Sequence, residues 1–213
     1  MSSLFPQING VAQIEVNSLC LSRGEKRLIE DLTLTLSSGD ILWAQGDNGI
    51  GKTTLLEALA GLRRPDNGSI TWHKNGTAVP PSKLAAYQPH RSYAKPVLSA
   101  QEDLKFWAGL SKTKDLLEET IEHVGLLGRA KIAAHGLSAG QKRRLALAKL
   151  ILSQKPVWIM DEPAAAMDKS GVDLIDDLIQ KHISRGGIAI IASHDAARDL
   201  SAHTRKLTLK AAA

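Results

Sequence analysis

Gly46-Asp47-Asn48-Gly49-Ile50-Gly51-Lys52-Thr53 fits the pattern G-x-x-x-x-G-K-[ST] in full, and no other stretch constrains the chain as strongly. It lies between a short apolar run, Ile41–Ala44, and a helical pattern over Lys52–Leu62 with Leu55, Leu56, Leu59 and Leu62 on one face. A strand, a glycine-rich loop and a helix in that order form an anion cradle. The glycines let successive backbone N–H groups turn inward, and the helix start adds its positive dipole end. Lys52 supplies a cation for the β- and γ-phosphates of a nucleotide, and the Thr53 hydroxyl suits a magnesium ion. The candidate phosphate-binding residues are therefore Gly46 to Thr53, with Thr54 beside them.

The rest of the chain reads as strands alternating with helices. Gln13–Leu21 and the Leu32, Leu34, Leu36 series alternate with period two, and Ser22–Lys26 around Gly24 reads as the turn between them. Gly68–Trp72 predicts another strand, and Val157–Met160 and Ile188–Ala192 are apolar throughout, as strands buried on both faces should be. Arg205–Lys210 suits a last edge strand. Helical patterns cover Ser99–Leu110, Lys114–Val124, Ser138 to about Ser153, and Lys169–Ser184. The expected fold is α/β, with a mainly parallel core sheet, an N-terminal antiparallel β part and an inserted helical lobe. Residues 1–10 read as a loose extension and 11–213 as one domain. Within it, 11–87 and 138–213 form the nucleotide-binding core and 88–137 the helical lobe.

Two further constellations carry chemistry. Val157-Trp158-Ile159-Met160 runs straight into Asp161-Glu162. Asp161 at the strand's C-terminal end suits a metal, directly or through water, and Glu162 suits a general base acting on an attacking water. A strand ending in solvated acids is common by itself; the phosphate loop earlier in the chain gives this one its meaning. Leu137-Ser138-Ala139-Gly140-Gln141 reads locally as a capping box, with Ser138 as N-cap and Gln141 three residues on. A capping box does not explain the glycine.

With that last motif the chain resembles the ABC (ATP-binding cassette) ATPases, whose signature LSGGQ appears here as LSAGQ. The resemblance extends in order along nearly the whole chain. It implies a phosphate-loop NTPase that binds ATP and Mg²⁺ and works as a head-to-tail dimer with a second copy of itself. Ser138, Gly140 and Gln141 would then meet the γ-phosphate held by the partner's loop. Gln88 fits the glutamine that senses the γ-phosphate and joins Thr53 and Asp161 around the metal. Asp161 and Glu162 fit the acidic pair, Ala164–Asp168 the following loop, and His194 the histidine that contacts the γ-phosphate. The implied catalytic set is Glu162, His194, Gln88 and Lys52. The stretch departs from the family at Leu21-Ser22-Arg23-Gly24, where an aromatic usually stacks on adenine. The Arg23 guanidinium plane is the available substitute. Ala165 stands where serine is usual.

Within the family, LSAGQKRRLALAKL, the upstream LSAQEDLKFWAGL and the Gln88-Pro89 pair resemble the ATP-binding subunits of bacterial haem exporters of cytochrome c maturation. That resemblance implies integral membrane subunits as partners and a peripheral position on the cytoplasmic face of the inner membrane. It also implies haem release to a periplasmic chaperone. Small transport ATPases for lipoproteins, peptides or ions would read much the same. No run approaches the roughly 18–20 apolar residues of a membrane span, and the start has no basic and apolar signal pattern. Cys20 is the only cysteine, so a reducing compartment is expected. There is no CxxCH and no Cys–His pair, and haem is not expected to bind this chain. Nucleic acid is not an expected partner either. The net charge is only +5, and sustained heptads, internal repeats and aromatic-laced basic patches are lacking. The large apolar residues Tyr93, Val97, Leu98, Leu104, Phe106, Trp107 and Leu110 are candidates for docking a membrane subunit.

Overall fold

The computed structural model describes residues 4–90 and 97–210. In chain order the strands are β1 (Ala12–Arg23), β2 (Lys26–Ser37), β3 (Ile41–Gln45), β4 (Asn67–Lys74), β5 (Thr77–Ala78), β6 (Ala85–Gln88), β7 (Val157–Asp161), β8 (Ile188–Ser193) and β9 (Thr204–Thr208). The helices are α1 (Lys52–Leu59), α2 (Pro81–Leu84), α3 (Ala100–Ser111), α4 (Leu117–His123), α5 (Ala139–Ser153) and α6 (Lys169–Ser184). The chain divides into two compact units. One is helical and takes in the described parts of 1–6, 91–154 and 163–178; the other holds every strand.

In the β-containing unit, β2-β1-β4-β5 form an antiparallel sheet and β6-β7-β8-β3-β9 a parallel one. Every residue of β7 and β8 is buried, which is why both read as unbroken apolar runs. One apolar core joins the two sheets to α1: Ile14, Val16 and Leu36 come from the antiparallel sheet, Ile159 and Ile190 from the parallel one, and Leu55 and Leu59 from the helix. β9 lies at the edge as expected, hydrogen-bonded to β3.

Three local readings change. The α1 pattern stops at Leu59 rather than Leu62, because Gly61 takes φ 73° and turns the chain away. β6 carries no strand signal of its own. Four residues, three of them only half-buried, become a strand by parallel pairing with β7. The N-terminal segment is not loose where it is described: Leu4 is buried, its carbonyl accepts from Gln154 Nε2 at 3.0 Å, and the Phe5 ring meets His123 edge-on at 5.7 Å.

In the helical unit α3, α4 and α5 pack on one another, and Leu104, Ala108, Ile121, Leu145 and Ala148 on these helices are buried. A buried ion pair, Lys149 Nζ to Asp103 Oδ2 at 2.6 Å, ties α5 to α3. The packing therefore groups α5 with the helices of 88–137. Each of α3 and α5 opens on a capping box, Ser99 with Glu102 and Ser138 with Gln141.

His182 and His123 are both packed against aromatic rings. His182 is fully buried, stacked on Trp158 with ring centroids 4.0 Å apart, and its Nε2 faces the carbonyls of Pro156 and Ile188. Burial, and then the adjacent Arg185 guanidinium, push its imidazole down to about 3.

Candidate functional site

The site begins where β3 ends. Gly46 to Gly51 form the link from β3 to α1, and the tip residues Asp47, Asn48 and Gly49 are exposed while Ile50 is half-buried. Gly51 sits in the helix N-cap position at φ 118°, and a Cβ there would approach Leu28 Cβ to 3.0 Å. A left-handed position against a neighbouring side chain suits only glycine. No side chain caps this helix, and its first turn holds no acidic residue. The first N–H groups of α1 are left for an anion.

Lys52 follows immediately and is buried. Its Nζ donates to the carbonyls of Gly46 at 2.6 Å and Asp47 at 3.2 Å, and lies 3.8 Å from Glu162 Oε1. The Thr53 hydroxyl donates to Asp161 Oδ2 at 2.7 Å. Burial raises the Asp161 carboxyl above its ordinary value, partly offset by the Thr53 hydrogen bond. Thr54 is buried next to it.

Register brings Gln88 to the end of β7 that carries Asp161. β6 is the neighbour of β7, and Gln88 pairs with Met160, one residue before Asp161. Gln88 is buried, and its Oε1 has no hydrogen-bond partner. A buried amide oxygen without a donor is an unmet demand for a cation or an N–H or O–H group. Thr53, Asp161 and Gln88 together offer the hard oxygen donors that a magnesium ion takes in company with phosphate oxygens.

Glu162 has φ 49°, a conformation uncommon for a residue with a Cβ, and its N–H donates to Ala192 O at 2.8 Å. Its carboxylate is held on the other side by the end of β8. His194 Nδ1 lies 2.8 Å from Glu162 Oε2, and the buried Ser193 hydroxyl lies 3.4 Å from the same oxygen. His194 Nε2 is 3.5 Å from Asp195 Oδ1. Gln45 Nε2 holds the Asp195 carbonyl at 3.0 Å. Sequence reasoning singled out His194 and passed over Ser193, Asp195 and Gln45. The available signal was a hydroxyl and a carboxylate flanking the histidine at the end of an apolar strand.

Arg23, the adenine candidate, ends β1 and is exposed. Ser138 and Ala139 are exposed at the start of α5, with Gly140 and Gln141 half-buried. The structure supplies the reason for the glycine that the capping box lacked. A Cβ on Gly140 would come within 3.2 Å of the Ala166 carbonyl, so the loop 164–168 packs directly on the signature turn. Arg144, one turn on, donates to Val124 O at 3.0 Å and to Ser170 Oγ at 3.2 Å. Among the docking candidates Leu104 is core, whereas Val97, Phe106, Trp107 and Leu110 are exposed. Tyr93 falls outside the described residues.

An uncapped helix start after a glycine loop, a threonine bonded to a strand-end aspartate and a glutamate beside them define a phosphate-loop, nucleotide-binding protein. The profile of the ABC transporter family matches residues 29–165. The cytochrome c biogenesis ATP-binding export protein CcmA of Haemophilus influenzae is 42% identical, over 93% of this chain and 96% of that protein. The CcmA of Rhodobacter capsulatus is 39% identical, over 85% and 80%. Among solved structures, an ABC transporter ATP-binding protein from Pyrococcus furiosus aligns with a TM-score of 0.77 at 28% identity, covering 92% of this chain and 97% of that one. The chain belongs to the ABC transporter family and is an ATP-binding ATPase.

Proposed function

We propose that this chain is the ATP-hydrolysing subunit of the exporter serving c-type cytochrome biogenesis, and that ATP turnover drives haem release to a periplasmic chaperone. The observation that carries the reading is identity of about two residues in five to CcmA proteins across nearly the whole chain. Proteins of this family dimerise and work with membrane subunits. No helix among the described residues is long and apolar enough to cross a membrane. In this reading the chain is a peripheral subunit on the cytoplasmic face of the inner membrane, attached through integral membrane partners.

The residues divide the work. The free N–H groups at the start of α1 and the Lys52 ammonium bind the phosphates, Lys52 exchanging the Gly46 and Asp47 carbonyls for phosphate oxygens. Thr53, Asp161 and Gln88 hold Mg²⁺. When bound, the ion neutralises charge on the β- and γ-phosphates. Glu162 orients the attacking water and accepts its proton. His194 leaves Glu162 Oε2 to contact the γ-phosphate. Arg23 stacks on the adenine. Ser138, Gly140 and Gln141 meet the nucleotide bound by a second copy of the chain, and the helical lobe at 88–137 presents Phe106, Trp107 and Leu110 to the membrane subunit. Haem stays with the membrane subunits.

The test is Phe106→Glu in the full chain co-expressed with its membrane partners. ATP binding by the subunit should persist, because Phe106 lies on α3, outside the phosphate loop. Co-purification with the membrane subunits, and haem delivered to the periplasm, should fall sharply. Retained complex and retained delivery would remove this face from docking. Delivery of an unrelated substrate by the intact complex would overturn the haem reading.

A further inference from the structure

We infer that Ser193 is a positioning residue for the general base: its hydroxyl holds the Glu162 carboxylate when His194 is drawn away to the nucleotide. The inference rests on the reading of Glu162 as general base and His194 as γ-phosphate contact. Ser193 is the last residue of β8, paired with Gln45 of β3 and buried at 3% exposure, so its side chain has no solvent to turn into. Two contacts define what its hydroxyl does. The Asp195 N–H donates to Ser193 Oγ at 3.0 Å, and Ser193 Oγ lies 3.4 Å from Glu162 Oε2. A serine hydroxyl has one proton and two lone pairs. The Asp195 N–H occupies a lone pair, and an ionised carboxylate can only accept, so the serine proton is directed at Glu162. The turn that orients Ser193 is the same turn that carries His194, and the Gln45 side chain fixes it through the Asp195 carbonyl at 3.0 Å.

His194 and Ser193 therefore share one carboxylate oxygen but differ in freedom. The His194 side chain is 54% exposed and can swing, whereas Ser193 is locked between two strands. Once His194 turns to the γ-phosphate, Glu162 loses its 2.8 Å partner, and a carboxylate held only by its own torsions samples orientations unsuited to the water. The Ser193 bond, at 3.4 Å, is the side-chain hydrogen bond that stays with Glu162 Oε2 after the swing. The backbone of Glu162 is already tied, through its N–H on Ala192 O and its φ of 49°. The carboxylate torsions are the remaining freedom, and those are what Ser193 restricts.

The experiment measures ATP turnover by the full chain assembled with its membrane subunits. Ser193→Ala should lower kcat by about five- to tenfold while the KM for ATP stays within about twofold, since the bond acts on the base and not on nucleotide binding. Ser193→Thr should restore kcat, because it returns the hydroxyl. Ser193→Cys, close in volume and only a weak donor, should fall between and keeps the test open should the alanine variant fold poorly. In the Glu162→Gln background Ser193→Ala should change the residual rate by less than about twofold, because the base it serves is gone. An unchanged kcat in Ser193→Ala, a fall carried by KM, or the same fall in both backgrounds would overturn the inference. Near-normal turnover of Glu162→Gln by itself would instead overturn the role given to Glu162, so the two failures are distinct.

Discussion

The helix α1 starts at Gly51, whose lack of a side chain leaves the first N–H groups uncapped; the helix α5 starts at Ser138, whose side chain takes the Gln141 N–H at 3.2 Å while Gln141 Oε1 takes the Ser138 N–H at 3.0 Å. Both starts lie in glycine-containing motifs, and both are proposed to meet the same phosphate from opposite sides. The first is open to ligand through its whole turn. The second has closed two of its own donors and offers the Ser138 hydroxyl proton and the N–H groups of Ala139 and Gly140. An uncapped turn forfeits stability to gain a strong anion site. A capped turn keeps its shape without a ligand, which suits a surface that must be ready before a partner's nucleotide arrives.

Glu162→Gln gives the largest expected effect and separates occupancy of the open turn from turnover. Nucleotide should still bind, while hydrolysis falls ~10²–10⁴-fold, because an amide cannot take the proton from water. Filter binding and phosphate release on the same protein check both halves. Near-normal turnover would show that the open turn and its lysine suffice without the carboxylate.

Mixed dimers address the comparison next. Lys52→Ala disables the open turn and Ser138→Arg blocks the capped one, so either homodimer should be inactive. If the two helix starts of different chains share one nucleotide, a mixed dimer collects both lesions in one site and leaves the other intact. ATP-driven closure, read by crosslinking, should then exceed that of either homodimer. Absence of complementation would separate the two helix starts functionally.

The smallest effect is on stability. Ser138→Ala removes the cap of α5 and should cost about 1 kcal/mol, seen as a drop of roughly 2–4 °C in Tm for a chain of this length. If Ser138 were only a cap, this would be its whole phenotype, and turnover would follow the folded fraction. If it also meets a nucleotide, turnover should fall further than the folded fraction does.

The local features of the molecule were legible in the order of residues. The spacing Gly46-x₄-Gly51-Lys52-Thr53 already specified the loop between β3 and α1, because its demands on φ and on side-chain size fall on consecutive residues. β7 and β8 were legible because burial on both faces leaves an unbroken apolar run. The capping box of Ser138 and Gln141 was legible from residues three apart. Features that depend on pairing across the sheet were not. β6 is a strand only because β7 lies beside it, and that register sets Gln88, whose buried Oε1 has no hydrogen-bond partner, opposite Met160, one residue before Asp161. The glycine at position 140 was visible as a letter, but its reason is the carbonyl of Ala166, twenty-six residues away in the chain. Leu4 is buried and Phe5 packed because Gln154 and His123 meet them, and nothing in the first ten residues signals that. Ser193 reads as one more small residue at a strand end until the fold sets Glu162 3.4 Å from its hydroxyl. Local spacing encodes backbone shape and capping. The environment of a side chain is set by residues from distant parts of the chain, and only folding brings those together.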